Sequence, residues 1–250
     1  MIRTLVFRLA TIISLIHTIS TSADTSAPAG ITLTMGTSNG PPYMIQESES
    51  GLDIDIPRAA MKKVGFPLRL EFYPLSRAIH ELQLGRIHLT APFFTSAPKG
   101  IFVSDPHIEY RPSIITLKTI DEMTELHQLK DHSIATFQGA TGYFGDQFYY
   151  ASKTSPDYVE HHDMEKLVDL LMNQRYQVVV LDYWIFRYFL SKSKFADQLS
   201  QIRFHPLLPR IPATVAFNNE DLRNKFNQGL QLIKEDGSYD EIIQKYERNE

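Results

Sequence analysis

The constraint that most limits how this chain can fold is its alternation of strand-like and helix-like runs. Short apolar runs alternate with longer stretches whose apolar side chains recur at helical spacing, and Gly or Pro interrupts most of them. The first half predicts the order β-α-β-α-β, at 31–35, 55–64, 68–72, 75–82 and 87–90. That order is typical of a doubly wound α/β sheet.

The same rhythm restarts further along the chain, which predicts a second α/β unit. The run Val178 to Leu181 is continuously apolar, as expected for a buried parallel strand. Two helices after the last predicted strand are too little for a third domain, so we expect them to complete the first unit. The later predicted elements are strands at 114–117, 133–137, 178–181 and 215–217 and helices at 164–171, 222–233 and 239–246.

The N-terminus has the pattern of a cleaved export signal. Two arginines precede a mostly apolar stretch at 9–19, and small residues follow at 21–23. The stretch is too short, and too often interrupted by Thr, Ser and His, for a membrane span. We therefore predict a signal peptide at 1–23, cleavage near Ala23, a linker at 24–30 and a periplasmic location.

Composition excludes several classes of function. Removing 1–23 leaves 23 basic and 29 acidic residues, a net charge of −6, which argues against a nucleic-acid partner. Cysteine is absent, so disulfides, thiolate metal sites and a cysteine nucleophile are excluded. No phosphate loop, dinucleotide fingerprint, nucleophile elbow or zinc-protease motif occurs. We expect no cofactor and no catalytic residue.

The densest group of titratable residues is His161-His162-Asp163, just before a predicted helix. Consecutive residues do not converge on one metal ion, because ligands on a helix need a spacing of three or four. Asp163 is instead a good candidate to cap the helix. We expect no metal site.

Two candidate ligand contacts lie at predicted strand ends, where open α/β sheets form their ligand crevices. Asp182 directly follows the buried run, and its carboxylate either accepts hydrogen bonds from a cationic ligand group or caps the next helix. Tyr43 follows Gly40-Pro41-Pro42, a stiff loop that would hold its ring against a ligand.

The segment Gly139, Ala140 and Thr141 turns from a strand into a helix, where free backbone N–H groups bind a carboxylate or phosphate. An ordinary connecting turn explains the same residues.

Arg77 begins a helix, where the helix dipole does not favour a cation, so its partner is a ligand carboxylate, an internal acid or solvent.

Seven short elements together resemble family 3 of the bacterial extracellular solute-binding proteins over nearly the whole mature chain. Each is weak alone, but their order and spacing are those of the family. They are Pro41-Pro42-Tyr43, Gly51-Leu52-Asp53-Ile54-Asp55-Ile56, Leu82-Gln83-Leu84-Gly85-Arg86-Ile87, Val103-Ser104-Asp105-Pro106, Gln138-Gly139-Ala140-Thr141, Val179-Val180-Leu181-Asp182 and Asp236-Gly237-Ser238-Tyr239-Asp240.

The resemblance implies a two-lobed, type II clamshell with two hinge strands, near 114–117 and 213–217. It divides the chain into lobe 1, at 31–116 and 214–250, and lobe 2, at 117–213. It further implies that Asp182 receives a ligand amino group, that the turn at 139–141 receives its carboxylate and that Tyr43 packs on the ligand.

The chain departs from the family after the third predicted strand. Amino acid receptors of this family usually carry T-x-x-R there, and the arginine holds the ligand α-carboxylate. Here Phe94 and Thr95 are present, but Pro98 stands in the arginine's position and Lys99 follows. Lysine lacks the planar fork of arginine, so Lys99 or Arg77 would hold a carboxylate with different geometry. The resemblance therefore leaves the solute unidentified.

The resemblance implies a monomeric binding protein that captures a small polar solute, an amino acid or a related compound, for the membrane permease of an ABC importer. Two alternatives share the scaffold. One is a dehydratase-like enzyme, for which Glu109 and Asp182 are the candidate acids, because fold does not determine function. The other is a sensor subunit that presents its ligand to a receptor kinase.

Overall fold

The structure, a computed structural model, describes residues 31–248 of the 250-residue chain. The predicted signal peptide and linker lie outside the described residues. Within 31–248, no helix combines the length and the hydrophobicity needed to cross a membrane.

The first lobe is built on a six-stranded sheet. Parallel strands form one half of it, and the last strand to join, β11, runs antiparallel to β3, β4 and β5. Its strands are β1 (Leu33–Thr37), β2 (Leu68–Phe72), β3 (Leu89–Phe93), β4 (Phe102–Val103), β5 (Ile108–Tyr110) and β11 (Ile211–Phe217). Its helices are α1 (Leu52–Lys63), α2 (Leu75–Gln83), α7 (Glu220–Glu235) and α8 (Ser238–Arg248).

The second lobe is built on a five-stranded sheet in the order β10-β6-β9-β7-β8. Strands β8, β7 and β9 are parallel neighbours, and β6 and β10 are antiparallel. Its strands are β6 (Pro112–Leu117), β7 (Ile134–Phe137), β8 (Tyr158–His161), β9 (Val178–Asp182) and β10 (Ile202–His205). Its helices are α3 (Ala140–Tyr143), α4 (Asp146–Lys153), α5 (Glu165–Met172) and α6 (Tyr183–Lys192), with 3-10 helices at Leu126–Asp131 and Ala196–Gln201.

The chain crosses between the two sheets twice. The first crossing is at Arg111, between β5 and β6, and the second is at 206–210, between β10 and β11. The boundary predicted after residue 116 falls inside β6, and the boundary predicted after residue 213 falls inside β11. The first hinge segment expected at 114–117 thus belongs wholly to the second sheet, because β6 pairs with β9 and β10 along its length.

Each lobe has its own hydrophobic core, which confirms the predicted two-lobed α/β fold. In the first lobe, α1, α7 and α8 cover one face of the sheet around Met35, Ile56 and Phe226. In the second lobe, separate apolar clusters cover the two faces of the sheet. Trp184 from α6 packs into the first lobe's core, so the lobes are also joined by apolar contact.

The short elements are the ones that sequence periodicity does not predict. Strands β4, β5, β8 and β10 and helix α4 have two to eight residues each, too few for a clear apolar period. The first strand begins at Leu33 rather than at Ile31, whose side chain is 72% exposed. Helix α1 begins at Leu52, three residues before the predicted start.

Close packing of α1 against α7 yields a prediction about stability. Gly229 of α7 lies against the Ala60 carbonyl of α1, and a methyl group at this glycine would overlap that oxygen. We expect Gly229→Ala to lower the free energy of unfolding by about 2 kcal/mol, because a backbone atom has to move. Gln228→Ala, one residue away on the exposed side, is the control and should cost less than about 0.5 kcal/mol in urea unfolding.

Candidate functional site

A cavity of about 420 Å³ lies between the two lobes. Its second-lobe wall is the carboxyl edge of the parallel strands, since Phe137 ends β7, His162 follows β8 and Asp182 ends β9. The first lobe contributes the loop after β1, at 40–44, and Tyr110 at the end of β5. Ligand sites of open α/β sheets form at this edge, so the cavity is the candidate binding site.

Most of the cavity wall is aromatic or aliphatic. Its polar side-chain groups are two carboxylates, one imidazole and three tyrosine hydroxyls, and no lysine or arginine lines it in the described part of the chain. The lining residues are Gly40, Pro41, Tyr43, Met44, Tyr110, Pro112, Phe137, Tyr143, Phe144, His162, Asp163, Met164, Leu181, Asp182, Ile185 and Phe189.

The Asp182 carboxylate is held by four protein donors. Its Oδ1 accepts hydrogen bonds from the Tyr43 hydroxyl at 2.9 Å and from the N–H groups of Trp184 and Ile185 at 2.9 and 3.3 Å. Its Oδ2 accepts one from the Arg111 N–H at 2.5 Å. Asp182 therefore caps α6 and ties that helix to the first lobe and to the crossing at Arg111, while it also lines the cavity.

Burial dominates the electrostatics of Asp182. Only 6% of the residue is exposed. Burial raises the pKa of the carboxyl above its usual value, and the hydrogen bonds from Arg111, Tyr43, Ile185 and Trp184 oppose that rise because they stabilise the ionised form.

Tyr43 is part of a buried network in the first lobe. Its ring stacks on that of Tyr110, with centroids 3.7 Å apart, and the Tyr110 hydroxyl donates to Asp53 Oδ2 at 2.6 Å. Asp53 Oδ1 lies 2.7 Å from His107 Nε2. Burial raises the pKa of both tyrosines well above 10, and the negative charges of Asp182 and Asp53 add to the rise. Both hydroxyls therefore remain protonated donors.

The start of α1 fixes the position of Tyr43. Gly51, with φ +136°, lies so close to the Tyr43 backbone that a side chain would overlap the Tyr43 carbonyl oxygen. The Asp53 N–H donates to that same oxygen at 2.9 Å. The motif at 51–56 thus has a mainly structural role. Gly51 leaves room for the backbone at Tyr43, and Asp53 accepts the hydrogen bond that holds the Tyr110 ring against the Tyr43 ring.

The predicted anion-binding turn already holds a carboxylate of the protein. Glu160 Oε2 accepts from the Gly139 N–H at 2.8 Å, and Oε1 accepts from the Tyr158 hydroxyl at 2.7 Å and, at longer range, from the Thr141 N–H and hydroxyl at 3.5 and 3.4 Å. Ala140 is fully buried beneath the turn. Gly139, Ala140 and Thr141 do not line the cavity as it stands.

The remaining predicted contacts also lie outside the cavity wall. Arg77 pairs with Glu81, with 3.5 Å between Nε and Oε1, and its guanidinium lies over the Tyr73 ring, so an internal partner accounts for it. Thr95 and Lys99 are exposed. Phe94 is 37% exposed and packs edge-on against Tyr110, which lines the cavity. Of the nine predicted contacts, the structure brings Tyr43 and Asp182 together in the wall.

The His161-His162-Asp163 segment lies nearer the cavity than the sequence suggested. Asp163 Oδ1 accepts from the Glu165 N–H at 3.1 Å at the start of α5, as expected of a cap, yet Asp163 and His162 also line the cavity. Lys166 Nζ lies 3.9 Å from Asp163 Oδ2. Within 31–248, no three His, Asp or Glu side chains come together as a metal site.

Sequence reasoning missed the aromatic lining. Phe137, Tyr143 and Phe144 form a cluster with centroids 5.3 to 5.5 Å apart, and Phe189 projects from α6. The available signal was the density of aromatic residues at 137–150, directly after a predicted strand. Burial raises the pKa of Tyr143 to about 12, and the charges of Asp182 and Asp53 contribute, so this hydroxyl is also protonated.

Replacing Asp182 tests its structural role. Asp182→Ala leaves the N–H groups of Arg111, Trp184 and Ile185 without acceptors, so we expect the free energy of unfolding to fall by about 2 to 4 kcal/mol. Tyr43→Phe removes one donor, keeps the stacked ring and should cost about 1 kcal/mol. Urea unfolding of both variants measures these losses. Equal losses of unfolding free energy would show that the three backbone hydrogen bonds to Asp182 contribute nothing to stability.

The Glu160 contacts predict a pH dependence. Burial alone would raise the pKa of this carboxyl, but hydrogen bonds from Gly139, Tyr158 and Thr141 outweigh it and hold the pKa below the usual 4.5. A lowered folded-state pKa stabilises the fold above the unfolded-state pKa, and this stabilisation is lost as the pH falls through the folded-state pKa. Glu160→Gln should thus be less stable than wild type at neutral pH, by a margin that shrinks in acid.

The matched control is Glu165→Gln, whose side chain is exposed on α5. Urea unfolding at a series of pH values should show no such pH-dependent margin for this variant. A Glu160→Gln margin that stays constant with pH would contradict the ionised contact.

Three solved structures share the fold at identities that establish fold alone. Substrate-binding domain 2 of GlnP from Lactococcus lactis, in its open conformation, is 21% identical with a TM-score of 0.70, over 88% of this chain and 96% of that one. The unliganded, open L-cystine solute receptor of Neisseria gonorrhoeae is 16% identical with a TM-score of 0.69, over 86% and 92%. A histidine kinase sensor domain with similarity to periplasmic binding proteins is 17% identical with a TM-score of 0.63, over 87% and 96%.

No curated protein matches the chain in a sequence comparison. The family model of bacterial extracellular solute-binding proteins, family 3, matches residues 33–249. That match covers both lobes and all seven sequence elements on which the resemblance rests, and it confirms the resemblance. The chain therefore belongs to family 3 of the bacterial extracellular solute-binding proteins.

Proposed function

We propose that this protein is an exported, periplasmic solute-binding protein that captures a small solute between its lobes and presents it to the permease of an ABC importer. The observation that carries the proposal is the cavity at the carboxyl edge of β7, β8 and β9, whose walls come from both lobes. A solute held there is buried further when the lobes approach each other, and such closure is a common response of two-lobed binding proteins.

The crossings at Arg111 and 206–210 are the natural hinge. They are short, and each joins a strand of one sheet directly to a strand of the other. A solute drives closure only through its extra affinity for the closed form, which requires contacts with both lobes. Tyr43 in the first lobe and Tyr143 in the second lobe are positioned to provide them.

The proposed export and location rest on the N-terminal sequence pattern and on the extracellular character of the family. The internal partners of the candidate acids favour binding over catalysis. Asp182 has four donors, and Glu109 lies outside the cavity, half-exposed and 3.0 Å from Arg210.

A sensor subunit is the second candidate, because a histidine kinase sensor domain shares the fold. The two functions differ in the membrane partner that recognises the closed form. Capture of a permease or of a receptor kinase by the closed, ligand-loaded protein, and not by the open form, decides between them. Capture of the permease would support transport, and capture of the receptor kinase would support a sensor role.

Ligand screening tests the proposal directly. A solute that binds only the folded state raises the thermal midpoint by mass action, and closure lowers the radius of gyration in small-angle scattering. We expect at least one small molecule, from a panel of amino acids, amines, carboxylates and sugars, to produce both changes in the protein from Asp24 to Glu250. A panel without any such compound would contradict the proposed function.

Tyr143 allows a clean test of where the ligand binds. It lines the cavity, is 42% exposed, and forms ring contacts with Phe137 and Phe144. We expect Tyr143→Ala to weaken binding of the ligand found by the screen about tenfold, equivalent to about 1.4 kcal/mol. Tyr150→Ala, 68% exposed and outside the cavity, is the control and should leave affinity unchanged in calorimetry. Equal losses of affinity in the two variants would show that the ligand does not bind at Tyr143.

A further inference from the structure

The cavity between the lobes, here called the cleft, is lined by carboxylates and by no lysine or arginine side chain of the described residues. Asp163 and Asp182 line the cavity, Asp53 is bonded to the lining residue Tyr110, and Glu160 is bonded to the turn at 139–141, which follows the lining residue Phe137. No lysine or arginine side chain lines the cavity among residues 31–248. Lys166 reaches only Asp163, at 3.9 Å with both side chains partly in solvent, and solvent screens that contact.

The positions that would receive a ligand carboxylate are already occupied or distant. Glu160 fills the turn at 139–141, and its negative charge repels a second carboxylate. Arg77 pairs with Glu81, and Lys99 lies outside the cavity wall. An anionic group entering the cleft would therefore lose its hydration and meet carboxylates without a balancing cation.

Groups that suit a cation are present. Six of the sixteen lining residues are aromatic, and aromatic rings attract cations through their negatively charged faces. Asp182 Oδ1 accepts three hydrogen bonds and Oδ2 only one, so Oδ2 retains capacity for one further donor. Burial raises the pKa of Tyr143, and the negative charges of Asp182 and Asp53 add to the rise, so the Tyr143 hydroxyl is a neutral group beside these carboxylates.

We infer that the cleft binds an organic cation with an aromatic or aliphatic body and no carboxylate group. The inference rests on the proposed function, in which the cleft is the solute site. It narrows the ligand from small polar solutes in general to amines and quaternary ammonium compounds.

Four compounds with one phenyl body separate the charges. Phenethylamine is a cation, 2-phenylethanol is neutral, 3-phenylpropionate is an anion and L-phenylalanine carries both charges. We expect phenethylamine to bind most tightly in calorimetry, with L-phenylalanine and 3-phenylpropionate at least about tenfold weaker. Choline tests the aliphatic case and should also bind. L-Phenylalanine or 3-phenylpropionate binding as tightly as the better cation would overturn the inference.

Amino acids separate failure of this inference from failure of the proposed function. If glutamine, arginine or cystine closes the lobes in small-angle scattering while phenethylamine and choline do not, the ligand class is wrong and the proposed function stands. If no compound of either set, and none of the wider panel of amino acids, amines, carboxylates and sugars, closes the lobes, the proposed function is wrong and the inference falls with it.

Glu160→Ala tests how carboxylates are excluded. The variant removes the charge from the turn, so the preference for phenethylamine over L-phenylalanine should fall at least about fivefold. Glu165→Ala removes an equal charge from an exposed site on α5 and should leave the preference within about twofold. Because the readout is a ratio of two affinities, a loss of stability does not move it. An unchanged ratio in Glu160→Ala would overturn the proposed exclusion and the inference built on it.

Discussion

The buried carboxylate of Asp182 is the interaction on which the relation between the two lobes depends. It ends the central strand β9, caps α6, accepts the N–H at the first crossing and receives the hydroxyl of Tyr43 from the opposite lobe. Burying an ionised carboxylate without hydrogen-bond donors is costly in free energy, so the buried position of Asp182 depends on these four contacts. Asp182 therefore joins helix α6, the crossing at Arg111 and the Tyr43 loop at one point between the lobes.

The same contacts bear on how the proposed site would select a ligand without a dedicated anion clamp. Tyr43 is held by Gly51 and the start of α1 on one side and by Asp182 on the other, and its stacking on Tyr110 connects it to Asp53. The polar groups of the wall are thus largely engaged with one another. What remains for a ligand in the proposed site is aromatic surface beside carboxylates, and such a surface would discriminate by charge and shape rather than by many hydrogen bonds.

The sequence predicts the long, periodic elements well because burial on one face leaves a clear apolar period. The stripe at 222–233 is an example, whereas Val178 to Leu181 is buried on both faces of its sheet and is recognised by its continuous apolar run. Short elements such as β5 carry no such period, yet β5 brings Tyr110 to the cleft. The predicted lobe boundaries differ from the crossings in the structure because strand propensity does not tell which sheet a strand such as β6 joins.

The candidate site was harder to predict because local motifs do not reveal long-range partners. Gly139 and Thr141 have the pattern of an anion-binding turn, but only the parallel pairing of β7 with β8 brings Glu160 to it. Arg77 similarly finds Glu81 one turn along its own helix. For Asp182, capping and ligand binding were alternatives in the sequence. The structure allows both roles. The capping N–H groups bond Oδ1, while the same carboxylate also lines the cavity. A carboxylate held in place as a cap is also well oriented to accept a hydrogen bond from a ligand.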